Sequence, residues 1–218
     1  MKKSLFSKSF TQQEPIPEEG IINAIDLMRS GKLHRYNVAK DELSQASVLE
    51  KEYADWQGCK YCIACTSGGF AIQLALRSLG IGEGTEVLAN AYTLAPVPGS
   101  IQNAGAIPVL IEIDENYCTD LNHLESMMQQ SRARFFMISH MRGHIANMEA
   151  ISDLCNELDI ILIEDCAHTM GAKWKGERSG NFGKIGCFST QTYKHINSGE
   201  GGLLTTDDPV VAARAIML

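Results

Sequence analysis

The sequence predicts an α/β protein, with a mainly parallel sheet between helices. Two observations carry that reading. From about residue 60 onward, apolar β-rich runs alternate with helical segments, the pattern of strand–helix units in a parallel sheet. Several of the runs, such as IILIE at 160–164, are apolar throughout, as strands buried on both faces must be. A chain of 218 residues that is 44% hydrophobic can bury a full core, and no internal repeat or low-complexity linker divides it.

The elements follow in order. Residues 1–20 are polar and proline-containing and read as a loose N-terminal arm, leaving 21–218 as one large domain. GIINAIDLMRSGKL has apolar residues at helical spacing and stops at Gly31. LSQASVLEKEYADWQG is a second amphipathic helix, ending at Gly58. The strand candidates are KYCIACT, EVLAN, IPVLIEI, ARFFMIS, DIILIED, KIGCFST and GGLLTTD. The helices FAIQLALRSLG, APVPGSIQNAG, DLNHLESMMQQ and NMEAISDLCNELD lie between them. In DPVVAARAIML, Asp208 can cap a helix that begins with Pro209. That helix reaches Leu218 without a C-cap, so the domain reads as incomplete at its C-terminal end.

Charge and composition exclude several function classes. Nineteen basic against 26 acidic residues give a net charge of −7, which repels a polyphosphate backbone, so no nucleic-acid partner is expected. The opening MKKSLFSKSFTQQEP has lysines but no apolar stretch behind them, unlike a signal peptide. No apolar run approaches the roughly 18 residues that span a bilayer, so no membrane partner is expected either. An odd count of seven cysteines without export signals reads as reduced thiols and a cytoplasmic location.

The stretch GCKYCIACTSGGFAIQLAL offers two chemistries, thiols and glycines. Cys59, Cys62 and Cys65 have the spacing of a metal or cluster site. On a strand, however, Cys59 and Cys65 share a parity while Cys62 points the other way. A cluster-binding run also needs a fourth ligand close by, and the next cysteine is Cys118. The thiols therefore read as buried apolar side chains, and no metal is assigned. Ser67, Gly68 and Gly69 stand between a strand and a helix. There, free N–H groups and the helix dipole suit a phosphate, although a plain tight turn accounts for the same residues. Gly80–Gly84 (GIGEG) follows a helix rather than a strand, and so reads as structure rather than a dinucleotide fingerprint.

Two more sites change the weighing. DIILIEDCAH ends a buried strand in Glu164–Asp165, and CFSTQTYKHINSGEGG puts Ser189 and Lys194 after another. Taken singly, the carboxylate is a cap and the lysine a solvated charge. Together with Ser67–Gly69 they supply what pyridoxal phosphate (PLP) asks of a protein: an anion cradle, an amine for the aldehyde and a carboxylate for the pyridine nitrogen.

At this point the sequence resembles the DegT/DnrJ/EryC1/StrS aminotransferases, which aminate keto sugars and related polyols. The resemblance runs from about residue 20 to the end, through SGGFAIQLALRSLGIGEGTEV, NAGAIPVLIEID, HMRGHIANMEAI, IEDCAHTMGAKWKGERSGNFGKIGCFS and KHINSGEGGLLTTDD. It implies the three-layer α/β/α large domain of fold type I, with a C-terminal small domain missing. It implies PLP, a glutamate or glutamine donor, a keto-sugar or keto-cyclitol acceptor and ping-pong transfer. Lys194 would hold the cofactor covalently and shuttle the proton. Asp165 would pair with the pyridine nitrogen, and His168 would lie near the phenolic oxygen. Ser189, Gly68 and Gly69 would bind the phosphate, and Tyr92 would stack on the ring. The resemblance also implies a homodimer with a shared active site.

The chain departs from the family pattern at Gly69, where a threonine hydroxyl is usual. It departs again at HMRGHIANM, where Arg142 and His144 are unusual residues near the substrate side. One branch of the family replaces the lysine by histidine and dehydrates sugars. Counting five residues from Ser189 reaches Lys194 and not His195, which favours transamination. A sugar dehydratase and a non-catalytic PLP-binding regulator are the other readings.

Overall fold

The computed structural model describes residues 13–36 and 38–218. Most of the expected arm, residues 1–12, lies outside the described residues. Helix α1 (Glu18–Ser30) starts two residues before the quoted helical segment, and α2 (Gln45–Gln57) follows. Gly31 and Gly58 end these helices at φ 69° and 84°. Glycine enters that left-handed region at little cost.

Strand and helix then alternate as expected: β1 (Tyr61–Cys65), α3 (Gly68–Ser78), β2 (Glu86–Asn90), α4 (Pro96–Asn103), β3 (Ile107–Ile111), α5 (Leu121–Gln130), β4 (Phe135–Ser139), α6 (Met148–Glu157) and β5 (Ile161–Asp165). A short hairpin, β6 (Lys173–Trp174) and β7 (Glu177–Arg178), precedes β8 (Ile185–Ser189), β9 (Gly202–Thr206) and α7 (Pro209–Met217). The sequence reading missed this hairpin. Its strands are two residues long, too short for any periodicity, and its turn is Lys175–Gly176 at φ 48° and 96° rather than a strong hairpin dipeptide.

The main sheet has the order β1-β9-β8-β5-β4-β2-β3. Strands β3, β2, β4, β5 and β8 pair in parallel, and β9 is antiparallel to both β8 and β1. Alternate residues feed opposite layers. Val87, Ala89, Met137, Ile163, Cys187 and Leu204 pack with α3, α4 and α7. Leu88, Phe136, Ile138 and Leu162 pack with α5 and α6, and Phe188 and Leu203 with α2. This is the expected three-layer α/β/α arrangement. Each fully buried branched side chain, such as Ile163 or Leu204, contributes about 1.5–3 kcal/mol.

Asp208 accepts hydrogen bonds from the Val210 and Val211 N–H groups, which starts α7 at Pro209 as the sequence suggested. Among the described residues no helix is long and apolar enough to cross a membrane.

Candidate active site

The parallel strands end on one edge of the sheet, the edge where α/β proteins gather their ligands. Asn90, Ser139, Asp165 and Ser189 are the last residues of β2, β4, β5 and β8. Asn90 ties two of these ends together: its Nδ2 donates to the Ser139 carbonyl at 3.1 Å, and its Oδ1 accepts from the Ser139 N–H at 2.7 Å.

A cavity of about 380 Å³ opens at this edge, lined by Ser67, Gly68, Gly69, Leu94, Asp165, His168, Ser189 and Lys194, among others. The size suits a small cofactor. Six of the seven expected site residues therefore meet around one space. Each is placed by a local device. Ser67 caps α3 by accepting from the Phe70 N–H at 3.0 Å, which leaves the N–H groups of Gly68 and Gly69 without helical partners. Gly68 sits so close to β8 that an added Cβ would lie 2.7 Å from the Ser189 Cβ. Gly69 has room, since its nearest neighbour would be the Pro96 Cβ at 3.8 Å.

Asp165 is 9% exposed. Its Oδ2 accepts from the Ser139 hydroxyl at 2.8 Å and its Oδ1 from the Ala167 N–H at 3.1 Å. Each oxygen keeps a further lone pair for the cavity. Ser139 was not singled out from sequence, though its place at the end of an apolar strand is the signal that could have found it.

Lys194 is carried by the loop from β8 to β9. The loop is closed by Thr190 and Gly201, Thr192 and Gly199, and Lys194 and Gln191, each through a backbone hydrogen bond. The Lys194 Nζ lies 2.8 Å from His168 Nε2, and His168 Nδ1 faces the Arg142 N–H at 3.3 Å. These contacts assign the protons. Nδ1 must accept from Arg142, so Nε2 carries the ring proton and donates to Lys194. Lysine can accept only as a neutral amine. Burial, with Arg142 adding to it, holds Lys194 below its ordinary value, while Asp165 pulls the other way. Burial and then the Lys194 charge lower His168. Both shifts favour the uncharged forms of Lys194 and His168. His195 does not line this cavity.

Tyr92 does not line it either. Its ring packs 5.2 Å from the Tyr117 ring, and Leu94, two residues on, takes the cavity position expected of the aromatic. The thiols separate as argued, but by a different route. Cys59 precedes β1 and packs with Cys62 against the α2 cluster, whereas Cys65 packs on the opposite face. Burial pushes the Cys59 and Cys65 thiols up to about 11. Among the described residues, His140, Glu164 and Cys166 alone come close enough together to suggest a metal site. The Glu164 carboxylate there is occupied by the N–H groups of Gly180, Phe182 and Gly183, and by His140.

Comparison with known proteins identifies the family and the fold. The DegT/DnrJ/EryC1/StrS aminotransferase family matches over residues 20–218. The L-glutamine:scyllo-inosose aminotransferase of Streptomyces griseus is 34% identical over 203 residues, covering 92% of this chain and 48% of that protein. The GDP-perosamine synthase of Caulobacter vibrioides is 36% identical over 171 residues, 78% of this chain and 46% of its own length. An aminotransferase structure from Psychrobacter cryohalolentis superposes with a TM-score of 0.87 at 27% identity, covering 95% of this chain and 52% of that one. The chain thus spans about half the length of the relatives it matches.

Proposed function

The chain belongs to the DegT/DnrJ/EryC1/StrS aminotransferase family, and on that premise we propose that it is the PLP-binding part of an aminotransferase acting on a keto sugar or keto cyclitol. Residues 21–218 form its large domain, and glutamine or glutamate is the donor. The observation that carries the reading is the convergence of Gly68, Gly69, Asp165, His168, Ser189 and Lys194 on one cavity.

The residues fit the cofactor. Two free N–H groups and the Ser189 hydroxyl offer donors to a phosphate at a helix N-terminus. An added Cβ at Gly68 would close that approach. The Asp165 carboxylate and the Lys194 amine line the same cavity. Bound there, PLP supplies an electron sink for the electrons of the broken Cα–H bond. Asp165 would pair with the pyridine nitrogen, and the Ser139 hydroxyl and the Ala167 N–H orient its carboxylate. With the cofactor bound, Lys194 would be the amine that holds its aldehyde and, once freed, the base placed to take the proton from the donor Cα. His168 orients that amine and would lie near the cofactor's phenolic oxygen. Leu94, which lines the cavity where Tyr92 does not, would offer the apolar contact.

The donor gives its amine first and leaves as an oxo acid, and the keto substrate then takes the amine by the reverse steps. A homodimer with a shared site completes the phosphate cradle, which lacks a hydroxyl at Gly69. Light scattering checks this: a dimer is expected, and a fully active monomer contradicts it. The functional test is the visible spectrum of the PLP-loaded protein. A band that bleaches with L-glutamine or L-glutamate, and returns on adding a keto cyclitol or keto sugar, is expected. A band unmoved by every amino acid contradicts the reading.

A further inference from the structure

A second cavity, of about 330 Å³, adjoins the first and is lined by Arg142, Ala167, His168, Tyr193, Lys194 and His195. It shares Ala167, His168 and Lys194 with the cofactor cavity, so the two meet at the reacting amine. Its lining holds no carboxylate. The Arg142 guanidinium has no ion-pair partner among the described residues. The charge of Arg142 nevertheless reaches the site, since it disfavours protonation of both His168 and Lys194.

Arg142 is held there by a strained turn. It has φ 56° and ψ 20°, the left-handed region, and Gly143 follows at φ 86°. The turn is closed by hydrogen bonds from Gly143 N–H to the His140 carbonyl and from His144 N–H to the Met141 carbonyl. That conformation is uncommon for a residue other than glycine.

We propose that this cavity is a carboxylate subsite in which Arg142 binds the α-carboxylate of the amino donor, a reading that rests on the aminotransferase function above. The chemistry selects the donor over the acceptor. Lys194 must reach the hydrogen on the donor Cα, and the α-carboxylate is bonded to that same carbon. A cation beside Lys194 is therefore where the carboxylate falls. The reacting carbon of a keto sugar or cyclitol carries only ring carbons and needs no cation there. Arginine suits the task because its planar fork pairs both carboxylate oxygens. A bound carboxylate also offsets the Arg142 charge that disfavours protonated Lys194, so Lys194 takes the Cα proton more readily once the donor is seated.

The two half-reactions of the PLP-loaded protein, followed separately by absorbance, test the proposal. Arg142→Gln should weaken L-glutamate in the donor half-reaction by about 10- to 100-fold, the worth of hydrogen bonds between charged groups. Arg142→Lys should recover part of the loss. The acceptor half-reaction should suffer much less. All three forms keep the backbone N–H to His168, so the side chain alone is tested. A second readout needs no turnover. Phenylglyoxal labelling of Arg142, mapped by mass spectrometry on the cofactor-free protein, should be slowed by L-glutamate but not by 4-aminobutyrate, which lacks the α-carboxylate. Unchanged donor binding in Arg142→Gln overturns the proposal, as does equal protection by both compounds. A loss confined to the acceptor half-reaction also overturns it, by placing the anion on the keto substrate. If the wild-type protein is bleached by no amino donor, the aminotransferase reading itself has failed, and the spectrum records that before any variant is compared.

Discussion

Glu164 and Asp165 end the same strand and face opposite sides of the sheet. Glu164 is fully buried and spends its oxygens on three backbone N–H groups, those of Gly180, Phe182 and Gly183, and on His140 Nε2. Those bonds hold the turn that leads into β8. Asp165 receives one hydroxyl and one N–H, and turns its remaining capacity to a cavity that also holds a lysine. The contrast separates neighbouring carboxylates: one is saturated with backbone donors and builds structure, and the one left partly open in a cavity with an amine is the one to which the proposed function gives a chemical role. Burial alone does not separate them, since both are nearly inaccessible.

Removing each charge in turn is the direct way to break that contrast. Asp165→Asn should cost several orders of magnitude in transamination rate with little change in melting temperature, because the amide oxygen can still accept from the Ala167 N–H while the Ser139 hydroxyl turns to accept from the amide NH2. A variant with near-normal rates would place the electron-sink role elsewhere. Glu164→Gln should do the reverse. Losing one carboxylate oxygen strands buried donors at about 1–3 kcal/mol each, which in a chain of this size lowers Tm by roughly 5–15 °C. The PLP band of the folded fraction should survive. Loss of the band at unchanged Tm would assign Glu164 to the chemistry.

The two glycines of the cradle sharpen the same distinction on a smaller scale. Gly68→Ala pushes a methyl against Ser189 and should weaken PLP binding, with about 1–3 kcal/mol of overpacking cost. Gly69→Ala has room and should stabilise α3 by about 0.5–1 kcal/mol, glycine being the poorer helix residue. Equilibrium dialysis with PLP and thermal melts measure both, and equal effects at the two positions would contradict the packing argument.

The smallest effect is in pH. PLP capture by the cofactor-free protein should speed up as Lys194 loses its proton, and level off below the ordinary lysine value because burial lowers it. Asp165 favours the ammonium form, so Asp165→Asn should move the plateau to still lower pH. A shift to higher pH would mean that the Asp165 charge does not reach Lys194.

What could be read from the sequence divides along similar lines. The sheet was legible because IILIE, FFMIS and IGCFS are apolar throughout, and the caps were legible because Asp208 and Gly31 have side chains or conformations suited to one job. Lys194 and Asp165, bland when taken singly, were picked out together because an anion cradle, an amine and a carboxylate are what PLP asks for, and because the segments around them resemble the family. Tyr92 misled: an aromatic in a loop draws attention, yet loop geometry turns its ring to Tyr117 and leaves Leu94 at the cavity. Cys59 misled because parity applies only inside a strand, and β1 starts at Tyr61. Asn90 and Ser139 went unread because their work is to join strands that are far apart in sequence. The pairing of His168 with the Arg142 N–H depends on a left-handed residue that no pattern announces.

The central claim is that Lys194 is the amine that holds the cofactor. Borohydride reduction of the PLP-loaded protein, followed by proteolysis and mass spectrometry, tests it most directly. The account predicts one pyridoxyl label, on Lys194, and none in Lys194→Ala. A label on any other lysine, or a yellow protein that borohydride leaves unlabelled, would contradict it.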